Sequence, residues 1–551
     1  MAKEKNMTQK FKKVSLGNKL AFACGDIFGG GSFNIINFLF VPFLTLVVGI
    51  PMIYVTPILL FTKIWDGLID PFIGMVTDGK RPGKFGKRRY FMLVAAPLVW
   101  IGLVMLFFPW NMVTNSVFWK CVFVVLMYIL YATAQSFVLI PYYSHASEMT
   151  GDFSERNKVN AVRLAFSIMS SLVCVVVPGM IASPAISASN NDNGMCYLVM
   201  AGIFGGVFTL SILVTALFSK EQIVTPAVQN KFSFAEFVRP LKVKTYRQYL
   251  GMQMCASMGM AVMSSYFYTY CDFFIRRDTN FLALSTGSGR AFAVATIAAA
   301  MMFVAQIIAL PIYLHIIKKR GKRFAYIFGA TLWIVVALVL FLMPAEPIGS
   351  AVVGSNGLVA TTQGVPDWAI VVFGLSLGIG IGGTVFVPHS SFGDVCDVGE
   401  LQFGKRTEGA FSGLTNFLNT TAQAIGLSIP SAIIGTAGYV ETKYVSLEQY
   451  QAYLDGTSDI VADFGLALGD FKATVYENSV QLVPMLQHDG AQLAIRIAFT
   501  LLPIAIMVVG IVVASKYKLT ATLQQQIVQT NALDHNSDQY KQQQQDLLGK
   551  L

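Results

Sequence analysis

The sequence predicts an all-α polytopic membrane protein with twelve transmembrane helices arranged as two six-helix halves. Three observations carry that prediction. Of 551 residues, 54% are hydrophobic and 13% charged, with mean hydropathy +0.59, whereas soluble domains carry about 25% Asp, Glu, Lys and Arg. The apolar residues are bunched in runs long enough to cross a bilayer, which takes about 20 residues as a helix. Basic residues gather in particular loops between those runs, the asymmetry that sets orientation in a membrane. This composition excludes a cytosolic enzyme, a disordered scaffold and a nucleic-acid-binding domain.

Taken in order, residues 1–19 (MAKEKNMTQKFKKVSLGNK) are basic and polar and lack the small-residue cleavage site of a signal peptide. They are expected to form a cytoplasmic tail. Hydropathy windows of about 19 residues place helices near 20–48, 52–76, 90–110, 117–145, 159–182, 196–218, 248–275, 289–317, 324–344, 368–392, 408–437 and 491–515. The loop after the second run holds six bases between Lys80 and Arg89, and the loop after the eighth holds five between Lys318 and Arg323. The middle loop adds Lys220, Lys231, Arg239, Lys242, Lys244 and Arg247. All three loops fall on the cytoplasmic side if both termini lie there. The stretch 438–490, with eight carboxylates and two lysines, then lies outside. The expected organisation is a tail (1–19), an N-terminal half (20–218), a middle loop (219–247), a C-terminal half (248–515) interrupted by the outer insertion 438–490, and a Gln-rich cytoplasmic tail (516–551). The expected location is the cell membrane.

Each half carries a short basic, Gly-containing loop after its second helix. A parallel repeat of six helices is the plan of carriers that rock two halves about a central cavity. No P-loop or HExxH motif occurs, so an ATP-driven pump is not indicated. The seven cysteines are scattered, with no CxxC pair, which argues against a disulfide framework or a metal cluster. No cofactor, metal, nucleic acid or obligate protein partner is expected. The expected partners are a small-molecule substrate and the lipid bilayer.

Charges inside spans are costly, about 2.5–3.5 kcal/mol or more each, and usually mark a pathway. In FTKIWDGLIDPFIGMVTD, Asp66 and Asp70 are four apart and share a helix face. Two neighbouring carboxylates in low dielectric share a cation or hold a proton between them, so the pair reads as a site for a coupling ion. The competing reading is structural neutralisation by Lys63. Arg163, opening the fifth span, reads either as an interior countercharge or as a base snorkelling to lipid phosphate. Asp26, in the glycine-rich CGDIFGGGSFN, reads as a substrate ligand or as a local cap near the inner face. Tyr142 and Tyr143 in IPYYSH supply aromatic faces for stacking on sugars, or an interfacial belt. His145 and His389 stand isolated in the sequence.

The run KIWDGLIDPFIGMVTDGKRPGKFGKRR resembles the second-span signature of the glycoside–pentoside–hexuronide:cation symporters, the melibiose-carrier branch of the major facilitator superfamily. IPYYSHASEMTGDFSERNKVNAVR is similar to that family's fourth-to-fifth helix loop, and GDVCDVGELQFGKRTEGAFSG to its tenth-to-eleventh. The resemblance covers roughly residues 15–435 and 490–520. It implies cation-coupled symport of a sugar or glycoside, with Asp66 and Asp70 as cation-site aspartates and Arg163 as the fifth-helix arginine. Asp26, Tyr143 and Arg163 are the substrate-binding candidates. Glu148, Glu155 and Arg156, with Arg406 and Glu408, are the candidates for a cytoplasmic gate; ordinary surface pairing, worth little per pair, is the plainer reading.

The departures from that pattern are informative. The third cation-site carboxylate falls on Leu139, the amide beside the second aspartate on Ile69, and the first-helix sugar-binding carboxylate on Gly30. The stacking tryptophan falls on Tyr143, a tenth-helix aromatic on Val385 and a late-loop lysine on Gln402. Sodium needs several oxygen ligands and a proton needs one carboxylate, so H⁺ is favoured over Na⁺. An uncoupled facilitator, and a lipid-like transporter or sensor on the same fold, are the alternatives. The insertion 438–490 reads foremost as a solvated loop, then as a folded cap of short helices or a gate. The Gln-rich tail reads as partly helical.

Overall fold

The computed structural model describes residues 14–79, 86, 88–149, 153–182, 194–219, 237–274, 289–343, 352–353, 359–360, 367–404, 408–440, 443–446, 450–451, 454–455, 471–475, 479–484, 489–531, 533 and 538–550. The bundle is built from α1 (Leu16–Pro42, continued by a π turn at Phe43–Val47), α2 (Met52–Gly79), α3 (Arg89–Leu106), α4 (Val117–Met149), α5 (Phe153–Ile181) and α6 (Met195–Phe218). Its second part comprises α7 (Lys244–Phe274), α8 (Gly289–Leu342), α9 (Asp367–Phe403), α10 (Glu408–Thr436) and α11 (Asp489–Ser515, through a π turn at Ile497–Leu501).

Among the described residues, nine stretches are long and apolar enough to cross a bilayer. One of them, Ile297–Leu342, has 46 residues, about twice what one crossing needs. It breaks at Gly321, whose φ of +83° is a conformation glycine adopts without a Cβ clash. The apolar part of α5 is shorter, Ala165–Ile181. The 31-residue α7, with Gln253, Ser257, Ser264, Ser265 and five tyrosines, is too polar to qualify by hydropathy.

Small residues set the helix spacings, as membrane bundles require when no hydrophobic force drives apolar helices together. On α1, a Cβ at Gly30 would lie 2.7 Å from the Ser167 carbonyl oxygen and 3.0 Å from Ser167 Cα, and one at Gly31 2.6 Å from Cys174 Sγ. Both glycines therefore let α1 press backbone-to-backbone on α5. The stripe Gly374, Gly378 and Gly382 on α9 does the same against α8, where a Cβ at Gly374 would meet the Ala298 carbonyl at 2.5 Å. Ser15 starts α1, its hydroxyl accepting from the Asn18 N–H at 3.3 Å, as N-caps do.

Side-chain contacts join the two halves at the end of the bundle remote from Leu16. Thr56 Oγ1 of α2 lies 2.7 Å from Ser431 Oγ of α10, and the rings of Phe38 (α1) and Phe303 (α8) are 6.1 Å apart. Gly435 of α10 packs on the backbone of Ile53.

Two departures from the expected all-helical chain are visible. Val352–Val353 (β1) pairs antiparallel with Val359–Ala360 (β2). Within the 438–490 insertion, Lys443–Ser446 (β3), Phe471–Val475 (β4) and Ser479–Pro484 (β5) form an antiparallel sheet ordered β3-β5-β4. The described part of the insertion thus contains a sheet that neither the solvated loop nor the cap of short helices anticipated. Its strands are rich in Val, Thr, Tyr and Phe, which suit extended backbone, while the acidic composition masked the pattern.

The Gln-rich tail folds as α12 (Ala521–Asn531) and α13 (Asp538–Lys550). Leu523, Ile527, Tyr540 and Leu547 are buried. Gln524 Nε2 donates to Asp397 Oδ2 at 2.7 Å, Asn531 Nδ2 to the Asp397 carbonyl at 2.9 Å and Gln544 Nε2 to the Leu401 carbonyl. Through Gln544 the hairpin thus satisfies the Leu401 carbonyl, one of the last four of α9, which have no partner within their own helix.

Candidate functional site

The ionisable residues of the N-terminal half converge on the interior between α1, α2, α4 and α5. Asp26 of α1 is 3% exposed. Arg163 Nε of α5 lies 3.8 Å from Asp26 Oδ2, and the same guanidinium sits 5.1 Å from the ring centroid of Tyr143 on α4. The structure therefore brings together all three residues expected to meet substrate. Their approach depends on Gly29, where a Cβ would lie 2.6 Å from Asp26 Oδ1, 3.4 Å from Tyr143 Oη and 3.4 Å from Leu139 Cδ2.

The two adjacent tyrosines divide their tasks. Tyr142 donates to the Phe22 carbonyl at 3.0 Å and stacks on the Phe22 ring at 4.7 Å, so it is a packing residue. Tyr143 is 46% exposed and offers its ring and hydroxyl to the space beside Arg163. His145, read as isolated, is buried with Nε2 2.8 Å from Ser219 Oγ, which ties α4 to the end of α6.

On α2, Asp70 Oδ1 accepts a hydrogen bond from Ser136 Oγ of α4 at 2.6 Å. One turn earlier, Trp65 Nε1 donates to Thr133 Oγ1 at 3.2 Å, so two side-chain bonds hold α2 on α4 at this depth. Asp66 shares its surroundings with Lys63, three residues back, whose charge acts on it. Lys63 is 4% exposed, and its Nζ stands 5.0 Å from the Phe33 ring centroid and 5.9 Å from that of Tyr128.

The charges can then be compared. Three carboxylates face this interior: Asp26 pairs with Arg163, Asp66 has Lys63 three residues back on its own helix without a direct ion pair among the described residues, and Asp70 has the Ser136 hydroxyl and no base there. An unpaired carboxylate away from water is strongly disfavoured, so Asp70 is the position where a cation or a proton completes the set. Ser136 was not singled out from the sequence. Its only signal there was a hydroxyl beside Gln135 in an apolar span.

The sequence departures take on physical form here. Leu139 presents a methyl group to the Asp26–Tyr143 space where the family pattern has a carboxylate. At Gly30 a carboxylate is sterically excluded by Ser167. The gate candidates are only partly visible: Glu148 lies at the end of α4, Glu155 and Arg156 open α5 and Glu408 opens α10, but their side chains, and Arg406 altogether, lie outside the described residues. At the same end of the bundle, Lys322 Nζ binds Asp394 Oδ2 at 2.5 Å and the Ser390 carbonyl at 2.8 Å, fastening the basic loop of the C-terminal half to α9.

A helical membrane bundle in two halves, with charged side chains buried at mid-helix depth, defines a secondary carrier of the major facilitator type. The chain belongs to the MFS/sugar transport protein family, whose model matches residues 21–521. It is similar to the glucuronide carrier protein homolog of Escherichia coli strain K12, at 23% identity over 78% of this chain and 85% of that protein. It is also similar to the sodium-dependent lysophosphatidylcholine symporter 1 of Gallus gallus, at 20% identity over 78% and 80%. A solved structure of a proton-dependent oligopeptide transporter superposes with a TM-score of 0.56 at 11% identity, over 93% of this chain and 99% of that one; at that identity the likeness is one of fold. The chain is thus a membrane transporter of a symporter family and not an enzyme.

Proposed function

We propose that this chain is a proton-coupled symporter that carries a sugar or glycoside across the cell membrane by alternating access. Asp66 and Asp70 form the coupling site, with Asp70 holding the proton. Asp26, Tyr143 and Arg163 form the polar and aromatic face that meets the substrate. Both termini lie in the cytoplasm, following the distribution of basic loops. With that orientation the Thr56–Ser431 and Phe38–Phe303 contacts close the outer side. Glu148, Glu155 and Arg156, with Arg406 and Glu408, form the inner gate.

The observation that carries this reading is the charge count: Asp70 has a hydroxyl partner and no base among the described residues. A proton on Asp70 removes the uncompensated charge and lets the halves close over the site. Sodium would need further oxygen ligands, and Leu139 supplies none. The family's description as a sugar transport protein, and the name of the glucuronide carrier homolog, support the substrate class.

A second reading has its own observation. An apolar crevice of about 200 Å³ between α1, α5 and α6 is lined by Ile27, Phe166, Met169, Val173 and Phe208. Ile27 is adjacent to Asp26. That arrangement suits an amphiphile with its polar head at Asp26–Arg163 and its chain in the crevice.

The test is external pH in lightly buffered, energy-depleted cells expressing the protein, on addition of a panel of sugars, glycosides and a lysophospholipid. Alkalinisation by one sugar, lost in Asp70→Asn, is the expected result. Sodium-dependent sugar uptake without alkalinisation overturns the proton reading. A response to the lysophospholipid alone selects the second reading.

A further inference from the structure

The contact left unused is the one by which the C-terminal half touches the coupling helix. Gly67, near the middle of α2, follows Asp66 directly and precedes Asp70 by three residues, so the three lie on one side of the helix. Gly67 is buried. What covers it comes from α10: a Cβ at Gly67 would lie 3.4 Å from Phe417 Cδ2 and 3.7 Å from both the Phe417 carbonyl oxygen and Thr420 Cβ. Behind that ring, Phe237 from the end of the middle loop packs edge-on at 6.4 Å between centroids. Its Cε2 lies 3.4 Å from where a Cβ at Gly413 would stand.

The same two helices also meet at their other end, and there the contact is of a different kind. Thr56 Oγ1 and Ser431 Oγ are 2.7 Å apart, a hydrogen bond that weakens steeply on separation or misalignment. A ring resting on a glycine has no directional bond to lose. Its dispersion contacts are non-directional and individually small, so they survive a change of angle between the helices. Rocking two halves against each other parts the contacts at one end and needs a contact near the middle that does not part.

We propose that the Phe417 ring on Gly67 is the fulcrum of that rocking: the contact persists while the Thr56–Ser431 seam opens and closes, and it keeps the aspartate pair from opening to both sides at once. The inference rests on the reading of Asp66 and Asp70 as the coupling site of an alternating-access carrier. A site beside the fulcrum is reached from whichever side is open, without moving itself. The ring gives water no hydrogen-bonding partner on that side of the pair. Phe417 is thus a positioning residue, which acts through the packing of α10 on α2.

Two measurements on the full-length chain test this, and neither needs a substrate. In the first, Gly67→Cys and Thr420→Cys are joined by oxidation in lipid nanodiscs; a Cβ at Gly67 stands 3.7 Å from that of Thr420, within the span of about 3.5–4.5 Å that a disulfide bridges. Ser431 is fully buried while the seam is shut, so Ser431→Cys on the same chain reports opening by its reaction with a water-soluble maleimide, read at that residue by peptide mass spectrometry. The cross-linked chain is expected to react at the rate of the reduced chain. Loss of the reaction on cross-linking makes the contact a gate that must part, and overturns the inference. Absence of reaction in both forms overturns it too, because the seam then does not open.

In the second, proteoliposomes hold a pH gradient read by an internal dye. Wild type is expected to hold it, and Phe417→Ala to dissipate it about tenfold or more faster. Phe417→Leu, which keeps an apolar side chain on Gly67, is expected to match wild type. A Phe417→Ala chain as tight as wild type, or Phe417→Leu as leaky as Phe417→Ala, overturns the inference. Should Phe417→Ala not yield folded protein, the cross-linking measurement, which keeps the ring, decides alone. Phe417→Ala/Asp70→Asn is expected to stop the leak. A leak that persists there defeats the coupling reading at Asp70, while the cross-linking result still decides the fulcrum.

Discussion

Ser136 on α4 donates a 2.6 Å hydrogen bond to Asp70 on α2, and among the described residues no base pairs with that carboxylate. A hydrogen bond to an ionised acceptor contributes about 1.5–3 kcal/mol. In a symporter that stabilisation matters most in the empty carrier, where Asp70 carries no proton and must still cross the closed intermediate. Ser136→Ala is therefore expected to slow return of the empty carrier, lowering uphill uptake by about tenfold. Exchange of labelled for unlabelled substrate, in which the site stays loaded, is expected to be nearly unchanged. Ser136→Thr keeps the hydroxyl and is expected to behave as wild type. Parallel measurement of uphill uptake and exchange checks this, and equal loss of both would contradict it.

Asp26 and Arg163 are held at 3.8 Å with Asp26 almost fully buried. Breaking such a pair from one side leaves a buried charge, which costs about 3–5 kcal/mol. Arg163→Ala is expected to lower the melting temperature in detergent and to abolish substrate binding. The double variant Asp26→Asn/Arg163→Gln removes both charges and is expected to recover the melting temperature without recovering binding. Recovery of binding as well would show that the pair serves packing alone.

Much of this arrangement was legible in the sequence, and what was not has physical reasons. The helical bundle follows from apolar run length, and Asp66, Asp70 and Arg163 follow from the cost of charge in a span. Their partners do not follow, because pairing depends on which helices are neighbours: the contact of Asp26 with Arg163 joins residues 137 positions apart in a fold where α1 lies on α5. Ser136 gave almost no signal, since a single hydroxyl costs little in a span. The helix α7 reads as a span only with its tyrosines included, because Tyr246, Tyr266 and Tyr270 satisfy their hydroxyls on neighbouring helices. The sheet of the insertion and the docking of the tail were invisible: both depend on pairing partners far apart in the chain.

The Gly30–Ser167 contact makes a steric prediction. A Cβ at Gly30 would lie 2.7 Å from a backbone oxygen and 3.0 Å from a backbone Cα, neither of which can rotate away. Overpacking of this kind costs about 1–3 kcal/mol, so Gly30→Ala is expected to lower the melting temperature, and Gly30→Asp to prevent recovery of folded protein. Restoring the family's first-helix carboxylate at this position is thus not expected to restore sugar binding. A stable, sugar-binding Gly30→Asp chain, judged by size-exclusion profile and binding, would refute the packing argument.

The tail hairpin provides the last prediction. Gln524 and Asn531 of α12 hold Asp397, and Gln544 of α13 holds the Leu401 carbonyl. Tyr540 donates to that same carbonyl at 3.4 Å. These bonds hold the last two turns of α9, and the turn before them carries the Lys322–Asp394 ion pair. Each neutral bond contributes about 1 kcal/mol, and the buried Leu523, Ile527 and Leu547 add apolar area. Gln524→Ala together with Gln544→Ala is therefore expected to release the hairpin before the bundle melts. The measurement is limited proteolysis of the intact protein in nanodiscs: cleavage between 519 and 550 should accelerate about tenfold or more while the helices of the bundle stay protected. Because α12 and α13 pack on α9, substrate uptake should change only so far as the end of α9 frays. Hydrogen exchange at residues 397–403 distinguishes the cases: increased exchange there, with slower uptake, means that the hairpin stabilises the moving end of α9. Unchanged proteolysis in the double variant would mean that apolar burial alone holds the tail.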